Sequence, residues 1–317
     1  MRRVFVVLLI SFLIFPTCVI PLNRLRTIVK ADLSGPKSDF EFQTFASFDE
    51  AYQALKMGTV DMLDYPLSDS QLLDALNDPN LNVVAATSCR MYLFDLNNNY
   101  TIAEYLGVKS PLHELKFRQA IAYAIDKDYI IESFWGNMAK RIDQPLPLTF
   151  PSWMNETYLG DSYPYKYNLT YAAQLLDELG FVDTDENGWR NYPADWLGAP
   201  NADFTQYPLK VLVRSDHQQR LNSGLYFVQQ LETIGIKCYT ITGPSDIMLP
   251  MIIIEQNYHI YTSGWGVWYP NALYFLYHSD CWTFESDDSQ FNYVTGMNES
   301  NLPNYPQLDS LLENVYH

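Results

Sequence analysis

Beyond residue 38 the apolar positions recur with alternating helical and strand periods. The run "SFDEAYQALKMG" reads as a helix opened by Ser47 with Glu50 three residues on, a capping box, and closed by Gly58. "TVDMLDYP" then reads as a short strand ended by Pro66, and Asp69 to Leu76 as a second helix. "NVVAA" and "CRMYLFDL" read as strands. This alternation predicts a compact α/β unit over 38–96. "NNNYTIAEYLGVKSPLHE" is a polar connection that marks a boundary. After it, Phe117, Ala120, Ile121, Ala124 and Ile125 form one helical stripe. Asp126 caps a helix over Lys127 to Trp135, and "PLPLTFPSW" is loop. Asn168 caps a helix with Leu169, Ala172, Ala173, Leu176 and Leu179 on its stripe. "YPLKVLVRSD", a helix over His217 to Ile234, and "IKCYTI" form a β-α-β unit, which requires parallel strands. The stripe expected on that helix is Leu221, Leu225, Val228 and Leu231. "YHIYTSGW" is a further strand, and "NYPQLDSLLENVYH" begins a helix at the end of the sequence, as in a truncated chain.

The N-terminus departs from this pattern. "MRR" precedes an apolar run from Val4 to Phe15. A membrane span needs about 20 apolar residues, so the run fits a secretory signal; extended to Leu22 it approaches an anchor. Residues 1–31 therefore read as a signal peptide or N-terminal anchor. The formal charge of −17 repels a polyanion and excludes nucleic acid as a partner. Four sequons, at Asn99, Asn155, Asn168 and Asn298, lean towards export. Beyond Cys18, the cysteines Cys89, Cys238 and Cys281 allow one disulfide of unspecified pairing.

Catalytic signals are thin. The five histidines show no metal-ligand spacing, and there is no GxSxG, P-loop or GxGxxG. "DTDENG", Asp183 to Gly188, begins like a calcium loop, but the twelfth position is Ala194 and not Glu, so an Asx-rich turn is expected. No catalytic, metal or cofactor site is assigned. The distinctive stretch is "YTSGWGVWYPNALYFLYHSD", Tyr261 to Asp280, with two tryptophans and four tyrosines. Its rings could fill a core. Gly264 and Gly266 around Trp265 instead favour a platform that another group can approach closely. The expected ligand wall is Trp265, Gly266, Trp268 and Tyr269, joined by Asn97 at a strand end and Trp153 in the proline-rich loop. The plain alternatives are a hinge turn at Asn97 and loop packing at Trp153.

Several stretches in order resemble the extracytoplasmic solute-binding proteins of family 5, the dipeptide and oligopeptide type of ABC importer component. They are "FDEAYQALKMGTVDM", "LKFRQAIAYAIDKDYII", "YNLTYAAQLLDELGFVDTDENGWR", "HIYTSGWGVWYPNALYFLYHS" and "PNYPQLDSLLE". The resemblance implies a two-lobed α/β fold of the periplasmic-binding-protein type II class, here missing part of one lobe. Residues 38–96 would form part of the small lobe, 97–280 the main lobe, and 281–317 would return towards the small lobe. It implies a monomer without catalysis or cofactor, outside the cell membrane or in the periplasm. Its partners would be a small-molecule ligand, an oligopeptide or oligosaccharide, and a membrane permease; some relatives bind nickel. In peptide binders an acidic residue shortly after the tryptophan holds the ligand's amino terminus. Here the comparable places are Val267 and Trp268, which puts sugar beside peptide as a ligand class. The reading from another class is a surface-anchored adhesion module, which would show an exposed apolar patch.

Overall fold

The computed structural model of this chain describes residues 27–29, 40–65, 67–84, 87–136, 138–158, 160–267, 269–281 and 305–316. They divide into two compact units, Met1–Ala86 and Thr87–His317. The apolar N-terminal run lies outside the described residues.

In the first unit, strands Thr27–Val29 (β1) and Phe40–Phe42 (β2) pair antiparallel, and helices Phe48–Lys56 (α1) and Asp69–Asn77 (α2) follow. The Ser47 hydroxyl accepts the Glu50 N–H at 3.2 Å, as the sequence predicts. The Glu50 carboxylate, however, accepts from the Ala46 N–H and not from Ser47. The reciprocal capping box sits instead on α2, between Ser68 and Gln71. Residues 59–65 are not the expected strand. The N–H groups of Thr59 and Val60 turn back onto the carbonyl of Ala54, so the last turn of α1 takes the donors a strand would need. Residues 82–84 are irregular as well.

The second unit contains Arg90–Leu96 (β3), Leu115–Tyr123 (α3), Lys127–Phe134 (α4), Leu169–Glu178 (α5), Leu209–Arg214 (β4), Gln218–Thr233 (α6), Cys238–Gly243 (β5), Ser245–Leu249 (α7), Ile260–Gly266 (β6), Ala272–Tyr277 (α8) and Tyr305–Tyr316 (α9). Its four-stranded sheet has the order β3-β6-β4-β5. β4 runs parallel to both β5 and β6, and β3 antiparallel to β6. Strand β3, grouped with residues 38–96 on sequence grounds, is thus an edge of this sheet, and the break between units falls ten positions earlier, after Ala86. Helix α9 packs on α8, with Tyr316 stacked on Tyr274 and the Ser279 N–H donating to Asp309.

The core follows from the pleat. Phe94, Val211, Val213 and Ile260 share one sheet face with Phe227 of α6, in a cluster that also holds Phe117 and Ile121 of α3 and Leu176 of α5. The expected stripe of α3 is buried from Phe117 to Ala124, with Ile125 half-buried; on α5 Ala172 and Leu176 are buried as expected, Leu175 joins them, and Leu169, Ala173 and Leu179 pack half-buried against the same cluster. The stripe of α6 is displaced. Leu225 is exposed, and the buried positions are Arg220, Ser223, Gly224, Phe227, Gln230 and Leu231. The cause is Gly224, where an added Cβ would meet Val213 Cγ1 at 2.6 Å and Thr262 Cγ2 at 2.7 Å. The helix rests on the sheet through its backbone, a position only the smallest residue permits. Cys89, Cys238 and Cys281 are free thiols, so the disulfide left open by the sequence is not formed among them.

Candidate functional site

The pairing of β6 exposes one end of the sheet. Its register with β4 covers Val211–Ile260 and Leu212–Tyr261. Beyond that, the Arg214 N–H is taken by the Thr262 hydroxyl at 2.8 Å. Strand β6 runs on to Gly266 held only by β3, where Met91 faces Trp265 and Arg90 faces Gly266. The carboxyl ends of the parallel strands β4, β5 and β6 therefore gather at Arg214, Gly243 and Gly266, the edge at which open α/β sheets bind their ligands.

Of the residues picked from sequence, this edge gathers the β6 group. The Trp265 indole is half-buried and packs against both apolar clusters on its face of the sheet, Leu212, Met248 and Tyr261 on one side and Met91, Leu146 and Leu276 on the other. Its Nε1–H donates to the Asp95 carboxylate at 3.3 Å. The ring is thus anchored in the core through its Nε1–H and remains half-buried. Gly266 and Tyr269 are exposed, and Val267 is buried with its N–H on the Cys89 carbonyl. Trp268 lies outside the described residues. Asn97 is 1 % exposed and its amide is committed internally: Nδ2 donates to the carbonyls of Tyr258 (2.9 Å) and Gln256, and Oδ1 accepts the Asn99 N–H. It pins the start of the chain after β3 to the segment before β6. Trp153 lies in an exposed turn of the long loop, at Pro151–Trp153.

Sequence reasoning passed over the cations and rings that other elements bring to this edge. Arg90 is exposed at the start of β3. The Arg214 guanidinium is paired with Asp216 and donates to the Tyr261 hydroxyl at 3.0 Å. Arg220 donates to the Thr262 carbonyl and lies over the Tyr92 ring, 5.7 Å from its centroid. Tyr92, Trp135 and His217 form a ring cluster with centroids 4.7 to 5.3 Å apart. Burial and the neighbouring Arg220 lower the His217 pKa, which favours the neutral imidazole. Burial pushes the Asp95 carboxyl up to about 6, against the hydrogen bonds from Ser263 and Trp265 and the charge of Arg220. A chain of net charge −17 thus presents arginines at the end of its sheet.

Two other features close on themselves. In "DTDENG" the Asp183 carboxylate accepts the N–H groups of Asn187 and Gly188, which makes it an Asx-type turn. The concavity beside Asp126, Lys127, Arg141 and Tyr165 has Lys127 and Arg141 both bound to Asp143, and its third cation, Lys166, lies 3.9 Å from the Asp161 carboxylate.

The family model described as bacterial extracellular solute-binding proteins, family 5 middle, matches residues 37–285, and the chain belongs to that family. The heme-binding protein A of Haemophilus influenzae is 27 % identical over 150 residues, covering 47 % of this chain and 25 % of that one. The oligopeptide-binding protein AppA of Bacillus subtilis, solved with a nonapeptide, superimposes with a TM-score of 0.60 at 18 % identity, covering 88 % of this chain and 49 % of that chain. The Thermotoga maritima oligopeptide-binding protein, solved with mannohexaose, gives 0.57 at 20 % identity, covering 88 % and 52 %. The type II periplasmic-binding fold expected from sequence is the fold of these structures. The chain spans about a quarter of the first curated relative's length and about half of the solved chains.

Proposed function

We propose that this chain is the solute-binding component of an ABC importer, a non-catalytic protein exported by its N-terminal signal, which passes a captured oligopeptide to a membrane permease. The observation that carries the reading is the free end of β6. There a half-buried indole flanked by two glycines is followed along the chain by an exposed tyrosine, and an exposed arginine lies opposite Gly266 on the neighbouring strand at the same carboxyl edge of the sheet. Extended backbone past the last pairing with β4 can pair with a peptide strand. The ring faces of Trp265 and Tyr269 cover its side chains, with Trp268 the adjoining ring in sequence, and the Arg90 guanidinium suits a carboxylate. A micromolar ligand needs about 8 kcal/mol. Each stacked ring adds about 0.5–1.5 kcal/mol beyond the area it buries, so rings, area and one charged contact together suffice.

A second reading is an oligosaccharide. It is favoured by the absence of an acidic residue at Val267 and Trp268 and by the exposed ring of Tyr269, since sugar faces stack on such rings. A thermal-shift screen of di- to hexapeptides and oligosaccharides separates the two. A true ligand at a hundred times Kd stabilises by about 2.7 kcal/mol and moves Tm by several degrees. The shift should shrink in Tyr269→Ala for either class and in Arg90→Gln for peptides alone. No shift with any of these ligands, or one equal in both variants, would overturn the assignment of this edge.

A further inference from the structure

The sequons are unequal once folded. Asn99 is half-buried and its Nδ2 donates to Gln256 Oε1 at 3.0 Å, so its nitrogen is spent. Asn168 is exposed, but it caps α5, its backbone N–H is tied to the Tyr123 carbonyl, and Thr170 is wound into the first helical turn. Asn298 lies outside the described residues. Asn155 differs from all of them. It is exposed, its side-chain oxygen accepts the Thr157 N–H at 3.0 Å, and its carbonyl accepts the Tyr158 N–H at 3.0 Å, so the sequon Asn155-Glu156-Thr157 forms an Asx turn within a β-turn. Its Nδ2 makes no hydrogen bond among the described residues.

The residue two before it is Trp153, 53 % exposed, whose ring touches no other ring among the described residues. Met154 between them, with φ −87° and ψ 138°, has left the turn for an open conformation near polyproline II, so Trp153 and Asn155 stand two residues apart on one exposed segment. An amphipathic ring left bare beside a free amide nitrogen is a stacking surface for whatever that nitrogen carries.

We propose that Asn155 is a site of N-linked glycosylation and that the Trp153 indole packs on the first sugar. The co-reactant is an oligosaccharide joined through pyrophosphate to a polyisoprenyl lipid. Asn155 Nδ2 bonds to the anomeric carbon, the bond from that carbon to the pyrophosphate oxygen breaks, and the lipid pyrophosphate leaves. The Nδ2 proton passes to a base of the transferase, and nothing is oxidised or reduced. The hydrogen bond that the Thr157 backbone N–H gives to Oδ1 draws electron density from the amide and eases loss of that proton, and the Thr157 hydroxyl supplies the third-position group that the acceptor pattern requires. Trp153 thereby acquires a role apart from the ligand wall expected for it.

The test uses the folded full chain, treated with an oligosaccharyltransferase and its lipid-linked donor and then digested for glycopeptide mass spectrometry. Asn155 should be occupied well ahead of Asn168, with Asn99 unmodified, and Thr157→Ala should abolish the Asn155 glycopeptide. In a second measurement, glycosylated protein is compared with the same protein after enzymatic removal of the sugar. The glycan should raise Tm by about 2 °C, and the increment should vanish in Trp153→Ala. An unmodified Asn155 beside a modified Asn168 or Asn99 overturns the site. An increment that survives in Trp153→Ala overturns the stacking.

Discussion

Asp95 sits on the buried face of β3, 3 % exposed, with the Trp265 indole N–H directed at it. Its carboxyl is raised to about 6, chiefly by burial, against a usual value near 3.8. A raised folded pKa means that the native state holds its proton more tightly than the unfolded chain does. The favourable contribution is complete below the unfolded pKa and is lost as pH rises through about 6. His259 has the opposite slope. Burial lowers its pKa to about 3, so the contribution of the neutral ring is complete above the unfolded value and is lost as pH falls towards about 3. Wild-type stability mixes the two slopes, and one substitution separates them. Asp95→Asn keeps an oxygen for the Trp265 N–H and has no charge to bury. It should be more stable than wild type at pH 7.5 by up to about 3 kcal/mol and nearly equal to it at pH 4. Urea unfolding at both pH values measures this, and a gain of the same size at both would show that the buried charge is not the cause.

At the scale of elements, the contact between α6 and the sheet depends on Gly224. Val213 and Thr262 are β-branched and confined to few rotamers, so neither methyl can swing clear of a new Cβ. Gly224→Ala should cost about 1–3 kcal/mol by overpacking despite the better helix propensity of alanine. Chemical denaturation reads the loss, and a stabilised variant would mean that α6 can lift from the sheet freely. The same glycine explains what the sequence concealed. Phe117, Ile121 and Leu176 were legible as core because large apolar side chains at helical spacing have nowhere else to go. On α6, backbone approach buried Ser223 and Gln230 and left Leu225 outside, which no hydrophobic period foretells. The strand at 59–65 failed because helix-end carbonyls took its N–H groups. The aromatic end of β6 was legible as composition. The arginines beside it were not, because Arg90, Arg214 and Arg220 reach that edge from three different elements and share no local motif.

For the whole molecule, the division after Ala86 has a consequence for where stability and recognition reside. The second unit contains the complete four-stranded sheet, the three larger apolar clusters, and the residues Trp265, Gly266, Tyr269 and Arg90. The described apolar cluster of the first unit is small, centred on Ala54 and Val60. A core that gathers α3, α5, α6 and the sheet is of the size that folds alone. The fragment Thr87–His317 should therefore fold cooperatively, with the far-UV dichroism of a mixed α/β protein and a sharp thermal transition. Any ligand that shifts the full chain through stacking at β6 should also shift this fragment, with the same loss in Tyr269→Ala. A fragment that folds but no longer responds would move the decisive contacts into the first unit. One that remains unfolded would show that the larger core depends on residues before Thr87.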